Sequence, residues 1–271
     1  MFTKLLKHEW RATRGMLGTL CLVCLGASLL GGLTMRYLIW ASTVQEMEQD
    51  VIVVLNVLGM VTAIIAVAVT GVAALFLYIS RFYKSRFTDE GYLTFTLPVN
   101  THQNLLSSMA ISAIGMVIVF FVICAALCLW LMIGFSAIPG FYETLWKVLP
   151  ELWEKFKEAN DQIPWRYAGL FLLNVLDGCV SELIMLMLSV TVGSILAKKH
   201  KILAAIGVYY GINVLIFMAG GAMLSVKVIA HSEEAQMVLS VFSSSAVMMA
   251  VAAVVGYFLM YWLMDRKLNL N

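Results

Sequence analysis

The sequence predicts an all-α integral membrane protein with six transmembrane helices, and three observations lead there. Six apolar runs are each long enough to cross a bilayer. Lys and Arg concentrate in alternate gaps between those runs. A composition of 62% hydrophobic and 13% charged residues, with a mean hydropathy of +0.91, lies far outside that of a soluble globular domain. About 20 apolar residues cross the hydrocarbon core as a helix, because lipid offers no partners for backbone N–H and C=O and a helix satisfies them internally. The runs are Met16 to Ile39, Val51 to Ile79, Leu105 to Ile138, Tyr167 to Ala197, Ile202 to Leu224 and Met237 to Met264. The longest gap, Pro139 to Arg166, is too short for a hydrophobic core of its own, so residues 1–271 are expected to form one membrane domain.

Before span one, Phe2 to Arg14 reads as an amphipathic helix. At about 100° per residue Phe2, Leu5, Leu6 and Trp10 share one side, and Lys4, Lys7, Arg11 and Arg14 the other, which suits a helix lying in the membrane interface. Glu9 falls inside the apolar stripe. It is therefore expected to face protein, either a partner or the loop after span two. Span one has about twice the apolar length of a signal-peptide core and no small-residue cleavage site, so it should stay in the membrane.

The gaps set the orientation. With the N-terminus inside, 12 of the 18 basic residues are cytoplasmic: Lys4, Lys7, Arg11, Arg14, Arg81, Lys84, Arg86, Lys198, Lys199, Lys201, Arg266 and Lys267. Ten of the 16 acids fall on the other side, in the gaps after spans one, three and five. The positive-inside rule thus predicts a multi-pass protein of the cell membrane with both termini cytoplasmic.

Between spans two and three, Ser80 to Asn104 is the longest inner loop and mixes charge, aromatics, one Gly and one Pro. Thr88, Asp89 and Glu90 offer an N-cap and first-turn acids for a short helix, Pro98 stops it, and Asn100 or Thr101 can cap span three. Tyr92, Phe95 and Leu97 beside charges make a docking surface, or an ordinary loop covering the inner ends of the bundle.

Between spans three and four, Tyr142, Leu145, Trp146, Leu149, Leu152, Trp153 and Phe156 follow i, i+3, i+4, i+7 spacing. Glu143, Lys147, Glu151, Glu154, Lys155 and Glu158 occupy the opposite side. An external amphipathic helix with a place to bend at Pro150 is expected, lying in the outer interface or acting as a lid over an exit.

Span four carries two acids, Asp177 and Glu182, with no Lys or Arg in the middle of any span to pair them. An acid at the bilayer centre costs about 2.5 to 3.5 kcal/mol on insertion scales, so each should face protein or water. On a regular helix they point about 140° apart and cannot form one paired site. Asn174, Asp177 and Ser181 share one face; Gly178, Glu182 and Ser189 share another. Neutralisation is expected from protonation, from polar groups such as Asn56, Thr62, Thr70, Tyr209 or Asn213, or from cationic cargo.

Small-residue pairs, Ala27 with Gly31, Ser28 with Gly32 and Gly207 with Gly211, allow close helix approach. The five cysteines, Cys21, Cys24, Cys124, Cys128 and Cys179, read as small packing residues within spans. Seventeen methionines, among them Met185, Met187, Met218, Met223, Met248 and Met249, suit core and lipid-facing packing or a yielding surface for apolar cargo.

Several chemistries are excluded by pattern. No H-E-x-x-H or His/Cys cluster has metal-ligand spacing, no G-x-S-x-G suggests a hydrolase, and no G-x-x-x-x-G-K-[ST] cradles ATP phosphates. No catalytic residue, metal or bound cofactor is expected on this chain alone, and nucleic acid is not an expected partner.

The run KLLKHEWRATRG before span one, LTFTLPVNTHQNLLSSM leading into span three, and SVTVGSILAKKHKILAAIGVYYGI across spans four and five resemble ABC-2 type export permeases, including exporters of toxic or antimicrobial peptides. The similarity extends over most of the chain in layout. It implies a permease subunit acting as a dimer, a homodimer by expectation, with two copies of a separate ATPase that holds ATP and Mg²⁺. It also implies a coupling helix in the loop after span two, which carries that role onto Thr88, Asp89, Glu90, Tyr92, Leu93 and Phe95. Family members place their largest external excursion between spans five and six, whereas here Ser225 to Gln236 is brief and the long external segment precedes span four.

Three functions follow as expectations. The first is a permease that exports amphipathic or hydrophobic cargo, such as toxic or antimicrobial peptides, with Asp177, Glu182, Asn174 and Ser181 along its pathway. The second is an ion-coupled secondary transporter using Asp177 or Glu182. The third is a noncatalytic membrane sensor or immunity protein, for which Trp146, Trp153 and Phe156 would matter most.

Overall fold

The computed structural model describes residues 2–44, 50–88, 100–160, 166–197, 200–230 and 234–267. These form seven helices and no strand: α1 (Phe2–Val44), α2 (Asp50–Phe87), α3 (Thr101–Phe135), α4 (Phe141–Asn160), α5 (Arg166–Leu196), α6 (Lys201–Ala230) and α7 (Glu234–Lys267). Six of them, all but α4, are long and apolar enough to cross a bilayer, which makes the chain a multi-pass membrane protein.

Three boundaries differ from those expected. The N-terminal amphipathic segment does not stand apart: α1 runs unbroken over 43 residues, about 64 Å. Proline is absent from it, and Gly15 and Gly18 are tolerated inside a helix at about 1 kcal/mol each. Span two continues past Ile79 to Phe87, because Tyr78, Phe82 and Arg86 recur every four residues and are all buried. Span three ends earlier, at Phe135. There the chain makes a turn in which Phe141 N–H donates to the Ile138 carbonyl at 3.1 Å, with Pro139 and Gly140 at its centre. Gly140 has φ +75°, the left-handed conformation that the third position of such a turn requires and that Gly adopts without a Cβ penalty.

The chain divides into two compact units. One comprises Thr13–Phe76 and Gly115–Pro164; the other comprises Met1–Ala12, Leu77–Ile114 and Trp165–Asn271. In the first, Cys24, Ala63, Val67, Ala126 and Trp130 form the core. Gly31 brings α1 against α2 and α3: a Cβ there would meet the Ala63 Cβ at 2.8 Å and the Trp130 ring at 3.0 Å. One on Gly32 would meet the Ile133 Cβ at 2.9 Å. These small residues act as the sequence predicts, letting backbones approach where lipid gives apolar side chains no drive to leave it.

In the second unit α5 packs against both α6 and α7. They approach closely at Gly193, where a Cβ would overlap the Ala205 backbone of α6. Gly207 and Gly211, expected to serve such an approach, have nothing within 4 Å of a Cβ among the described residues. Periodicity marks a small-residue face but not which helix covers it. The cysteines also divide: Cys24 is buried, whereas Cys124 and Cys128 are exposed, so packing does not account for those two. All five are free thiols.

Candidate functional site

The polar residues of α5 lie in the second unit, and two of its faces carry separate hydrogen-bond systems. On the face directed at α7, Asn174 Nδ2 donates to the Phe242 carbonyl at 2.9 Å, while the Ser245 hydroxyl donates to Asn174 Oδ1 at 2.6 Å. One heptad on, the Ser181 hydroxyl lies 3.2 Å from the Met249 carbonyl and 3.4 Å from Asp177 Oδ1. Both interhelical ties to a carbonyl have the same offset of 68 residues, as two parallel helices packed in register with a seven-residue step require. Further along the seam, Gly256 of α7 lies against Ile184 and Met185.

Asp177 sits within this seam, and its Oδ2 is buried with no hydrogen-bond partner among the described residues. A buried carboxyl oxygen without a donor is costly, which makes Asp177 the unsatisfied point of this seam.

Glu182 points to the other side. The Tyr209 hydroxyl of α6 donates to its carboxylate. The two acids are therefore separated as the helical angle predicts, each with its own neighbouring helix. Of the polar groups considered as neutralising partners, Tyr209 alone reaches an acid. Asn213 donates to the Tyr209 carbonyl, and Asn56, Thr62 and Thr70 donate to carbonyls one turn back on their own helix.

A second constellation surrounds the base of the loop after α2. Arg81 Nε lies 3.4 Å from Glu9 Oε2, which gives the acid on the apolar stripe of the N-terminal segment its protein partner. Arg86 is 2% exposed. Its guanidinium donates to the Asn104 carbonyl and the Ser85 hydroxyl, both at 3.0 Å, and reaches Asn104 Oδ1 and the Ser108 hydroxyl at 3.4 Å. It also stands 4.6 Å over the Phe82 ring, while its Nε finds no partner among the described residues. One buried cation thus ties the end of α2 to the start of α3.

His102, in the first turn of α3, packs edge-on against Tyr257 and Tyr261 of α7, and its Nδ1 shares a hydrogen bond with the Tyr257 hydroxyl. Asn100 holds the position before α3, its carbonyl accepting from Asn104 N–H at 3.2 Å.

Sequence reasoning counted Arg86 only as one more inner-side charge. Its spacing from Tyr78 and Phe82, four residues at each step, was the available signal that it shares their buried face. Thr88 ends the helical stretch, its hydroxyl donating to the Lys84 carbonyl at 2.6 Å. The other residues expected to couple to an ATPase, Asp89, Glu90, Tyr92, Leu93 and Phe95, lie outside the described residues.

The amphipathic segment between spans three and four is a helix throughout, with Pro150 in its interior. Trp146 is 73% exposed, and Leu149, Leu152 and Trp153 are also exposed. The Phe156 side chain lies outside the description. Phe141 stacks on Phe135 with ring centroids 5.8 Å apart, joining the start of α4 to the end of α3. Of the methionines considered for a yielding surface, Met185 and Met187 are buried in the core, and Met218 and Met223 are exposed.

Among the described residues no group of three His, Cys, Asp or Glu could hold a metal ion. No protein-family profile, curated protein or solved structure matches this chain.

Proposed function

We propose that this chain is the permease subunit of an ATP-driven exporter of the ABC-2 type. In that role it acts as a homodimer with two copies of a separate ATPase, which holds ATP and Mg²⁺. Its cargo is an amphipathic or hydrophobic molecule, a toxic or antimicrobial peptide being the first choice. The carrying observation is the pair of cationic ties at the base of the inner loop: Arg81 to Glu9 on the N-terminal segment, and Arg86 to Asn104 and Ser108 on α3. A loop that receives a push from a partner must be mechanically joined to the spans that respond. These ties join its two ends to each other and to the N-terminal segment, which supports the coupling role of the residues from Thr88 to Phe95.

Six apolar helices and the absence of a phosphate-cradling motif from the sequence agree with a membrane subunit that draws its energy from another polypeptide. The acids in α5 have no cationic partner among the described residues, which suits a pathway for cationic or amphipathic peptides.

The test is co-expression with the ATPase encoded beside it, purification through a tag on the permease, and comparison of ATP hydrolysis for wild type and Leu93→Ala/Phe95→Ala. A stable complex whose hydrolysis falls in the double variant supports the proposal; failure of any ATPase to co-purify sinks it.

The orphaned Asp177 Oδ2 favours a second reading, a proton-coupled transporter. That reading requires proton flux in vesicles without any ATPase, abolished by Asp177→Asn.

A further inference from the structure

At the end of α1 remote from the N-terminus, a cavity of about 370 Å³ is lined by Leu33, Arg36, Tyr37, Trp40, Ser136 and Ala137. All six residues belong to the first unit, four on α1 and two in the turn after α3. The volume lies within the range of about 300 to 1,000 Å³ typical of small-ligand sites. Among the described residues that line it, Arg36 is the one charged group. Among the described residues neither Arg36, the Tyr37 hydroxyl nor the Trp40 indole N–H has a hydrogen-bond acceptor. The Ser136 hydroxyl is already committed, donating to the Ile133 carbonyl at 2.6 Å.

Position and periodicity identify the occupant. Arg36 comes 20 residues after Met16, about 30 Å along the helix, which is the thickness of the hydrocarbon core. It therefore stands at the bilayer boundary, the level at which Tyr and Trp collect. Leu29, Leu33, Arg36 and Trp40 fall on one stripe of α1, within about 60° of one another, and all four are exposed. An apolar track thus leads up to a cationic mouth with two further donors. This is the complement of a phospholipid: acyl chains along Leu29 and Leu33, and a phosphate at the guanidinium.

We propose that this cavity is a specific phospholipid site, in which Arg36 pairs with the headgroup phosphate and the Tyr37 and Trp40 donors complete its shell. Arg suits the role because its fork presents parallel N–H donors to phosphate oxygens. The bound lipid fills the space between α1 and the turn into α4, so it braces the entry to the amphipathic helix. With the N-terminus inside, the lipid belongs to the outer leaflet.

The site is tested by native mass spectrometry on the full chain, delipidated in detergent and titrated with phosphatidylglycerol or with diacylglycerol of the same acyl chains. Wild type should retain phosphatidylglycerol at one tight site, weakened about five- to tenfold in Arg36→Gln and partly restored in Arg36→Lys. Diacylglycerol should bind both proteins equally weakly. Each variant's melting temperature identifies loss through misfolding, and Trp40→Phe, which keeps the ring and removes the donor, provides a milder weakening that does not depend on Arg36. Equal phosphatidylglycerol retention by wild type and Arg36→Gln overturns the proposal. Displacement of the lipid by millimolar inorganic phosphate also overturns it, since the site would then be one for a free anion.

Discussion

The Tyr209 hydroxyl of α6 donates a hydrogen bond to the Glu182 carboxylate of α5, joining two membrane-spanning helices through a partly buried side-chain pair. Water is scarce at that depth, so each group lacks an easy substitute for the other.

Removing the donor alone should therefore cost more than removing it together with the acid. Tyr209→Phe is expected to destabilise the protein by about 1 to 3 kcal/mol, because it leaves a carboxylate without its donor. Glu182→Gln should cost less, since an amide oxygen still accepts from Tyr209. The double variant should recover part of the Tyr209→Phe loss. A double-mutant cycle on thermal unfolding in detergent measures this, and strict additivity of the two single effects would show that the pair is not coupled.

Arg86 is held by geometry as well as by charge. Arg86→Lys keeps the cation but lacks the fork that reaches Asn104, Ser85 and Ser108 together. It is expected to destabilise by about 1 to 3 kcal/mol and to raise hydrogen exchange in the first two turns of α3. Unchanged exchange at 101–108 in Arg86→Lys would mean the guanidinium does not fasten α3.

Gly193 and Gly207 should respond oppositely to the same change. Gly193→Ala places a methyl into the Ala205 backbone and should cost about 1 to 3 kcal/mol. Gly207→Ala meets open space and should be neutral or stabilising by up to about 1 kcal/mol through helix propensity. Melting temperatures of the two variants, compared side by side, check this contrast.

The Glu9 and Arg81 pair is partly exposed, with side chains at 12% and 29%, so its energy is modest. Arg81→Glu should lower stability by roughly 1 kcal/mol at low salt, and Glu9→Arg/Arg81→Glu should restore most of it. The restoration should shrink as salt is raised. If the reversed pair is no more stable than Arg81→Glu alone, the two charges do not meet in solution.

How much could be read without coordinates follows from the range of each interaction. The apolar runs predicted all six spanning helices, since span length is set by bilayer thickness and needs no knowledge of neighbours. The angular separation of Asp177 and Glu182 was likewise legible, because helix geometry alone imposes it. The amphipathic α4 was legible from Tyr142 to Phe156 for the same reason. The burial of Arg86 was not legible: its charge says which gap it belongs to, and only α3, supplying Asn104 and Ser108, makes its burial tolerable. Gly207 and Gly211 show the opposite case, a small-residue face with nothing within 4 Å of a Cβ among the described residues.

The sequence by itself determined the number of spans, their approximate ends and the angular separation of Asp177 and Glu182, all consequences of hydropathy and a 3.6-residue repeat. Tertiary structure alone decided which helix meets each face: α7 for Asn174 and Ser181, α6 for Glu182, α3 for Arg86. In a bilayer every span is apolar on most sides, so hydropathy cannot rank one neighbour above another. That choice is made by close packing and by a few interhelical hydrogen bonds, which depend on residues far apart in the chain.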